Sequence, residues 1–114
     1  STALVMIDLL LKAGCRLKVY DPVAMDECKR RMKLKAEKEN SEIPLDHIQY
    51  CKDMYEAVKG ADALLLLTEW KEFHLPRWDV IGDSMNRRLV LDGRNIYDAD
   101  DLHQIGFEYH CIGK

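Results

Sequence analysis

Segments with helical periodicity and segments with strand character alternate along all 114 residues of this chain. Such alternation predicts an α/β protein, a Rossmann-like three-layer sandwich with a mainly parallel sheet, because parallel strands need helical crossovers between them. Ser1 and Thr2 are positioned to cap a first helix carrying Leu4, Ile7, Leu10 and Leu11, with Gly14 as its stop. Arg16 to Tyr20 reads as a strand, closed by Asp21-Pro22. A charged helix follows from Val23 to Lys38 with an apolar stripe at Met25, Cys28 and Met32, then a polar loop from Asn40 to Asp46 containing Pro44. Ile48 to Cys51 is a short strand. Asp53 and Glu56 have capping-box spacing at the start of a helix that Gly60 ends.

In the second half, Ala63 to Leu67 is a continuous apolar run, the pattern of a strand buried on both faces. A helix is expected over Trp78 to Met85, a strand over Leu89 to Leu91, a helix capped by Asp98 and ended by Gly106, and a last strand over Phe107 to Ile112. A crossover helix needs a strand on either side of it. A chain that opens on a helix therefore predicts a strand ahead of Ser1, so that these residues lack the first strand of their domain. The alternative is a first helix packed on a sheet complete without it.

Composition narrows the function classes. The length is that of one domain, residues 1–114, and 47% hydrophobic content is ordinary for a globular protein. A net charge of -3 argues against a nucleic-acid surface. No apolar run approaches the roughly 20 residues of a membrane helix, and no leader is visible, so a cytoplasmic location without membrane contact is expected. The four cysteines, Cys15, Cys28, Cys51 and Cys111, form no C-x-x-C pair and read as reduced thiols. The four histidines, His47, His74, His103 and His110, lack metal-ligand spacing, so no metal is expected. None of the six glycines builds a dinucleotide or phosphate-loop fingerprint. Asp21 stands where a Rossmann acid would bind ribose, but without that fingerprint it reads as a turn cap.

In open α/β sheets, ligands bind outside the carboxyl ends of the strands. Three polar clusters are expected there: Tyr20-Asp21-Pro22, Thr68-Glu69-Trp70 and Asp92-Gly93-Arg94-Asn95. Arg94 follows a glycine that permits a tight turn, and its planar fork suits a phosphate or a sugar hydroxyl. It could equally be a surface arginine paired with Asp92 or Asp98. Trp70 and Phe73 either stack on a ligand or another domain, or form a small core under the next loop. Glu69 either orients Arg94 or a ligand hydroxyl, or supplies charge to a helix start. No catalytic residue is assigned, since no nucleophile–base arrangement is present.

Taken together, Val19-Tyr20-Asp21-Pro22, Tyr55-Glu56-Ala57, Gly60-Ala61-Asp62-Ala63, Thr68-Glu69-Trp70 with Phe73, Asp92-Gly93-Arg94-Asn95, and Gly106-Phe107 with Tyr109 and Ile112-Gly113 resemble one family. They resemble the C-terminal UDP-binding domain of the UDP-glucose/GDP-mannose dehydrogenases, of the UDP-glucose 6-dehydrogenase type. The resemblance runs over nearly the whole chain. It implies a parent enzyme of polysaccharide precursor synthesis that oxidises a sugar 6-hydroxyl twice to a carboxylate with NAD. It implies that NAD and the catalytic cysteine belong to an N-terminal Rossmann domain joined through a long helix that supports a dimer. This chain alone would then bind no cofactor and catalyse nothing.

By the same resemblance Arg94 contacts the nucleotide sugar, Asp92, Gly93 and Asn95 shape its turn, and Thr68, Glu69, Trp70 and Phe73 line the face near the substrate. The family's lysine-bearing segment would lie just before Ser1. UDP-glucose is the expected substrate of the parent, with UDP-N-acetylhexosamine or GDP-mannose as alternatives. A stand-alone nucleotide-binding module and a docking domain remain the competing classes.

Overall fold

The computed structural model describes residues 2–38 and 43–112. They form an α/β chain with parallel strands that divides into two compact units, Ser1–Ala57 and Val58–Lys114. The expected cap at Ser1, the start of the polar loop at Asn40, and Gly113 fall outside the described residues.

In the first unit, α1 (Thr2–Lys12) leads to β1 (Leu17–Val19), α2 (Met25–Lys38) and β2 (Ile48–Tyr50), with α3 (Met54–Val58) after it. β1 and β2 pair in parallel, Leu17 opposite Ile48 and Val19 opposite Tyr50, with α2 as the crossover. The core is Ile7, Leu11, Met32, Ala36 and Ile43, with Leu4, Leu17, Val19, Cys28 and Ile48 packed on it. Ile7 and Leu11 are one turn apart on α1, as are Met32 and Ala36 on α2, so each helix meets the core along a single stripe. Gly14 ends α1 in the left-handed conformation, at φ 91°.

The turn residues act as expected, with one shift. Asp21 accepts the amides of Val23 and Ala24 at 2.8 Å each, a turn cap before α2. Asp53 accepts the Glu56 amide at 2.8 Å. The reciprocal bond from Glu56 reaches the Lys52 amide at 3.1 Å, one residue earlier than the standard capping box. After Pro44, Leu45–His47 form a 3₁₀ turn that the polar-loop reading did not anticipate.

The second unit holds β3 (Leu64–Leu66), α4 (Trp78–Ser84), β4 (Leu89–Asp92), α5 (Ala99–Gln104) and β5 (Glu108–Cys111). Its three strands lie in the order β3-β4-β5, all parallel, each joined to the next by a helical crossover. Leu66 stands opposite Asp92, and Asp92 opposite Cys111. Leu66, Asp92 and Cys111 therefore share one sheet face with Val90 and Tyr109. Val90 and Tyr109 are buried on that face, while Leu91 and His110 on the other are exposed.

The parallel strands form two ladders, β1-β2 and β3-β4-β5. One expectation changes here. The apolar run at Ala63 to Leu67 gives a three-residue strand in which only Leu66 is buried. Leu64 and Leu65 are half-buried, so the all-apolar run overstated the burial of β3. Asp98 caps α5 as expected, accepting the Asp101 amide at 3.0 Å. Asp98→Ala should lower stability by about 1 kcal/mol, read as a shift in urea midpoint at constant slope. An unchanged midpoint would remove the cap from the account.

Candidate functional site

β4 ends at Asp92, and the chain then turns through Gly93, Arg94 and Asn95. Gly93 is pressed against β3: its amide donates to the Leu66 carbonyl at 2.8 Å. A β-carbon there would stand 2.9 Å from the same oxygen, closer than a side chain can approach backbone. Asn95 has φ 58°, the left-handed region that asparagine tolerates better than most residues.

The turn is held from within by Asp92, which is only 2% exposed. Its Oδ1 accepts the amides of Arg94 and Asn95, both at 2.9 Å. Its Oδ2 accepts the amides of Ile96 and Tyr97, both at 3.0 Å, and lies 2.7 Å from the Tyr109 hydroxyl. Burial alone would raise the pKa of this carboxyl. The Tyr109 hydroxyl and the amides of Arg94, Tyr97 and Ile96 outweigh burial and hold it below the ordinary value. The same burial, reinforced by the Asp92 charge, pushes the phenols of Tyr97 and Tyr109 well up, so both remain protonated.

The segment after β3 shares this carboxyl edge, because β3 and β4 are parallel and Leu66 is level with Asp92. Thr68 is half-buried and Glu69 exposed. Trp70, half-buried, begins a 3₁₀ turn over Lys71–Phe73, and Phe73 is buried. The Tyr97 hydroxyl donates to the Phe73 carbonyl at 2.6 Å, so the turn bearing Arg94 is tied directly to the Thr68–Phe73 segment. Trp78 packs edge-on against Tyr97 and Phe107, at ring-centroid distances of 4.9 and 5.2 Å.

The alternatives left open by the sequence now separate. Arg94 is exposed, and among the described residues no partner is recorded for its guanidinium. Asp92 is already saturated by its own turn, and Asp98 caps α5, so neither takes the arginine. Glu69 lies 3.4 Å from His74 Nε2, which places it beside the histidine and leaves Arg94 unpaired. Phe73 belongs to a buried core, while Trp70 keeps part of its ring accessible. Tyr97 was not anticipated, and Tyr109 not as part of the site. The available signal was the β5 alternation, which puts a tyrosine on a buried face, where its hydroxyl needs a partner.

The third cluster, Tyr20-Asp21-Pro22, follows β1 in the first unit. Asp21 accepts the amides of Val23 and Ala24 there, which makes it a turn cap. Burial pushes the thiols of Cys28 and Cys51 up, away from the thiolate form a nucleophile needs. Among the described residues, no group of three His, Cys, Asp or Glu side chains is placed to hold a metal, and no helix is long and apolar enough to cross a membrane.

Parallel strands joined by helical crossovers define a Rossmann-like α/β fold. Comparison with known proteins carries the identification further. Residues 1–99 match the UDP-binding domain of the UDP-glucose/GDP-mannose dehydrogenase family, and the chain belongs to that family. It is 36% identical over 112 residues to a UDP-glucose 6-dehydrogenase of Pseudomonas aeruginosa, covering 98% of this chain and 23% of that protein. It is 34% identical over 114 residues to one from Rhizobium meliloti, covering 100% and 23%. The chain thus spans about a quarter of the length of these relatives. The solved structure of a UDP-D-ManNAc dehydrogenase from Pyrococcus horikoshii shares the fold, with a TM-score of 0.53 at 21% identity, covering 98% of this chain and 29% of that one.

Proposed function

We propose that residues 1–114 act as one functional unit, the UDP-binding domain of an NAD-dependent UDP-glucose 6-dehydrogenase that converts UDP-glucose to UDP-glucuronate in the cytoplasm. The observation that carries this reading is the unpaired Arg94 guanidinium on a turn locked by Asp92, beside the Thr68–Phe73 segment. A cation on a turn whose backbone is held, with no carboxylate among the described residues to neutralise it, suits a diphosphate. Arg94 grips the diphosphate, Thr68 and Trp70 line the neighbouring wall, and Asp92, Gly93 and Asn95 keep the turn in shape. Glu69 and Phe73 support that wall.

The role is positioning. Binding energy at the nucleotide end holds the reacting sugar carbon in place for groups supplied by other parts of the parent enzyme. Those parts include an N-terminal NAD-binding domain and a dimer partner; the hydride acceptor is NAD, and this chain contributes no group to the transfer.

Calorimetric titration tests the proposal. UDP should bind the chain weakly, in the sub-millimolar to millimolar range, and GDP more weakly still. No heat from UDP at millimolar concentration would overturn it, and NAD reduction by the chain with UDP-glucose would overturn the assignment of the chemistry to other segments.

A further inference from the structure

Asp92 carries five hydrogen bonds on one carboxylate, more than a turn of this length needs to close. Four consecutive amides, from Arg94 to Tyr97, converge on it, and the Tyr109 hydroxyl completes the set. Amides arranged in this way form a nest for an anion, and here the chain fills the nest with its own side chain. A carboxylate has about four lone-pair positions, so none is left for a ligand. At 2% exposed it is also out of a ligand's reach. Any effect of Asp92 on binding must therefore pass through the turn it holds.

The geometry points to Asp92 as the positioning residue for Arg94, with Tyr109 as its brace: together they fix the backbone from which the guanidinium reaches the nucleotide diphosphate. This rests on the function proposed above and adds to it a mechanism for pre-organisation. A loose turn would lose backbone freedom on every binding event, whereas a turn already held by five bonds to Asp92 has lost it on folding. Tyr109 reaches Asp92 from β5, and its hydroxyl also lies 3.0 Å from the Tyr97 carbonyl. Tyr97 in turn donates to Phe73. The brace therefore couples the arginine turn to the Thr68–Phe73 wall, and displacing one displaces the other.

The test is a double-mutant cycle on UDP affinity in the full chain, using Tyr109→Phe, Asp92→Asn, Arg94→Ala and the two combinations with Arg94→Ala. Tyr109→Phe should weaken UDP binding about 3- to 10-fold. Asp92→Asn should weaken it further, since its amide would turn donors toward the Ile96 and Tyr97 amides. In the Arg94→Ala background neither change should weaken binding again, because both act through the arginine. Multiplying losses in the double variants, or wild-type affinity in Tyr109→Phe, would overturn the proposal. Should Asp92→Asn fail to fold, the Tyr109→Phe arm decides.

Amide hydrogen exchange without ligand separates this idea from the functional reading itself. Exchange at residues 94–97 should accelerate in Tyr109→Phe while Val90 and Leu91 keep their protection. Unchanged exchange at 94–97 would overturn the positioning role even if the chain proved not to bind UDP.

Discussion

Asp92→Ala is expected to lower the stability of the second unit by about 3–5 kcal/mol. Truncation removes a buried carboxylate and leaves the amides of Arg94, Asn95, Ile96 and Tyr97, with the Tyr109 hydroxyl, facing the space it vacates. Hydrogen bonds to a charged group contribute about 1.5–3 kcal/mol each, but they share one acceptor and water can partly replace it, so their simple sum overstates the loss. Both tryptophans, Trp70 and Trp78, lie in this unit, so urea unfolding followed by tryptophan fluorescence reads it directly. A loss below about 1 kcal/mol would show that water replaces the carboxylate at little cost.

The same residue sets an acid limit. The Asp92 pKa in the folded chain lies below its ordinary value of 3.8. In the interval between the two, the unfolded chain binds more protons, so stability rises with pH there. The contribution of Asp92 is therefore complete above the unfolded value and is lost as pH falls through the lowered folded one. The stability gap between wild type and Asp92→Ala should be constant from pH 5 to 7 and should narrow only below about pH 4. A gap that narrows between pH 5 and 7 would mean that another group titrates with the turn.

Arg94→Ala is the second large effect, on binding instead of stability. The residue is exposed and its guanidinium has no partner among the described residues, so the fold loses little: a change within about 0.5 kcal/mol is expected. UDP affinity should fall by roughly 10- to 150-fold, the equivalent of one charge-assisted contact of about 1.5–3 kcal/mol. Arg94→Lys keeps the charge but loses the planar fork, and should recover only part of the affinity. Wild-type UDP affinity in Arg94→Ala would remove Arg94 from the site.

Much of the local structure was legible because its causes are local. Asp98 caps α5, Asp21 caps the turn before α2, and Gly14 ends α1, each through groups within a few residues. The helix and strand segments followed from periodicity, and parallel order followed from their alternation. The carboxyl-edge rule placed Thr68, Glu69 and Trp70 beside Asp92 to Asn95, and the register of Leu66 against Asp92 puts both segments at that edge. The 3₁₀ turns at Leu45–His47 and Lys71–Phe73 were not legible, since so few residues carry no periodicity to read.

Residue order is enough to specify an α/β chain of helical crossovers with an arginine-bearing turn following a strand. The part Asp92 plays depends instead on packing. From sequence alone it was equally a shaper of the turn or an ion-pair partner for Arg94. The parallel register of β4 and β5 brings the Tyr109 hydroxyl, 17 residues away, to 2.7 Å from its carboxylate. A buried charge must be fully hydrogen-bonded, and which donors reach it is fixed by the packing of strands distant in sequence. With Asp92 so occupied, it forms no ion pair with Arg94, which is left facing solvent.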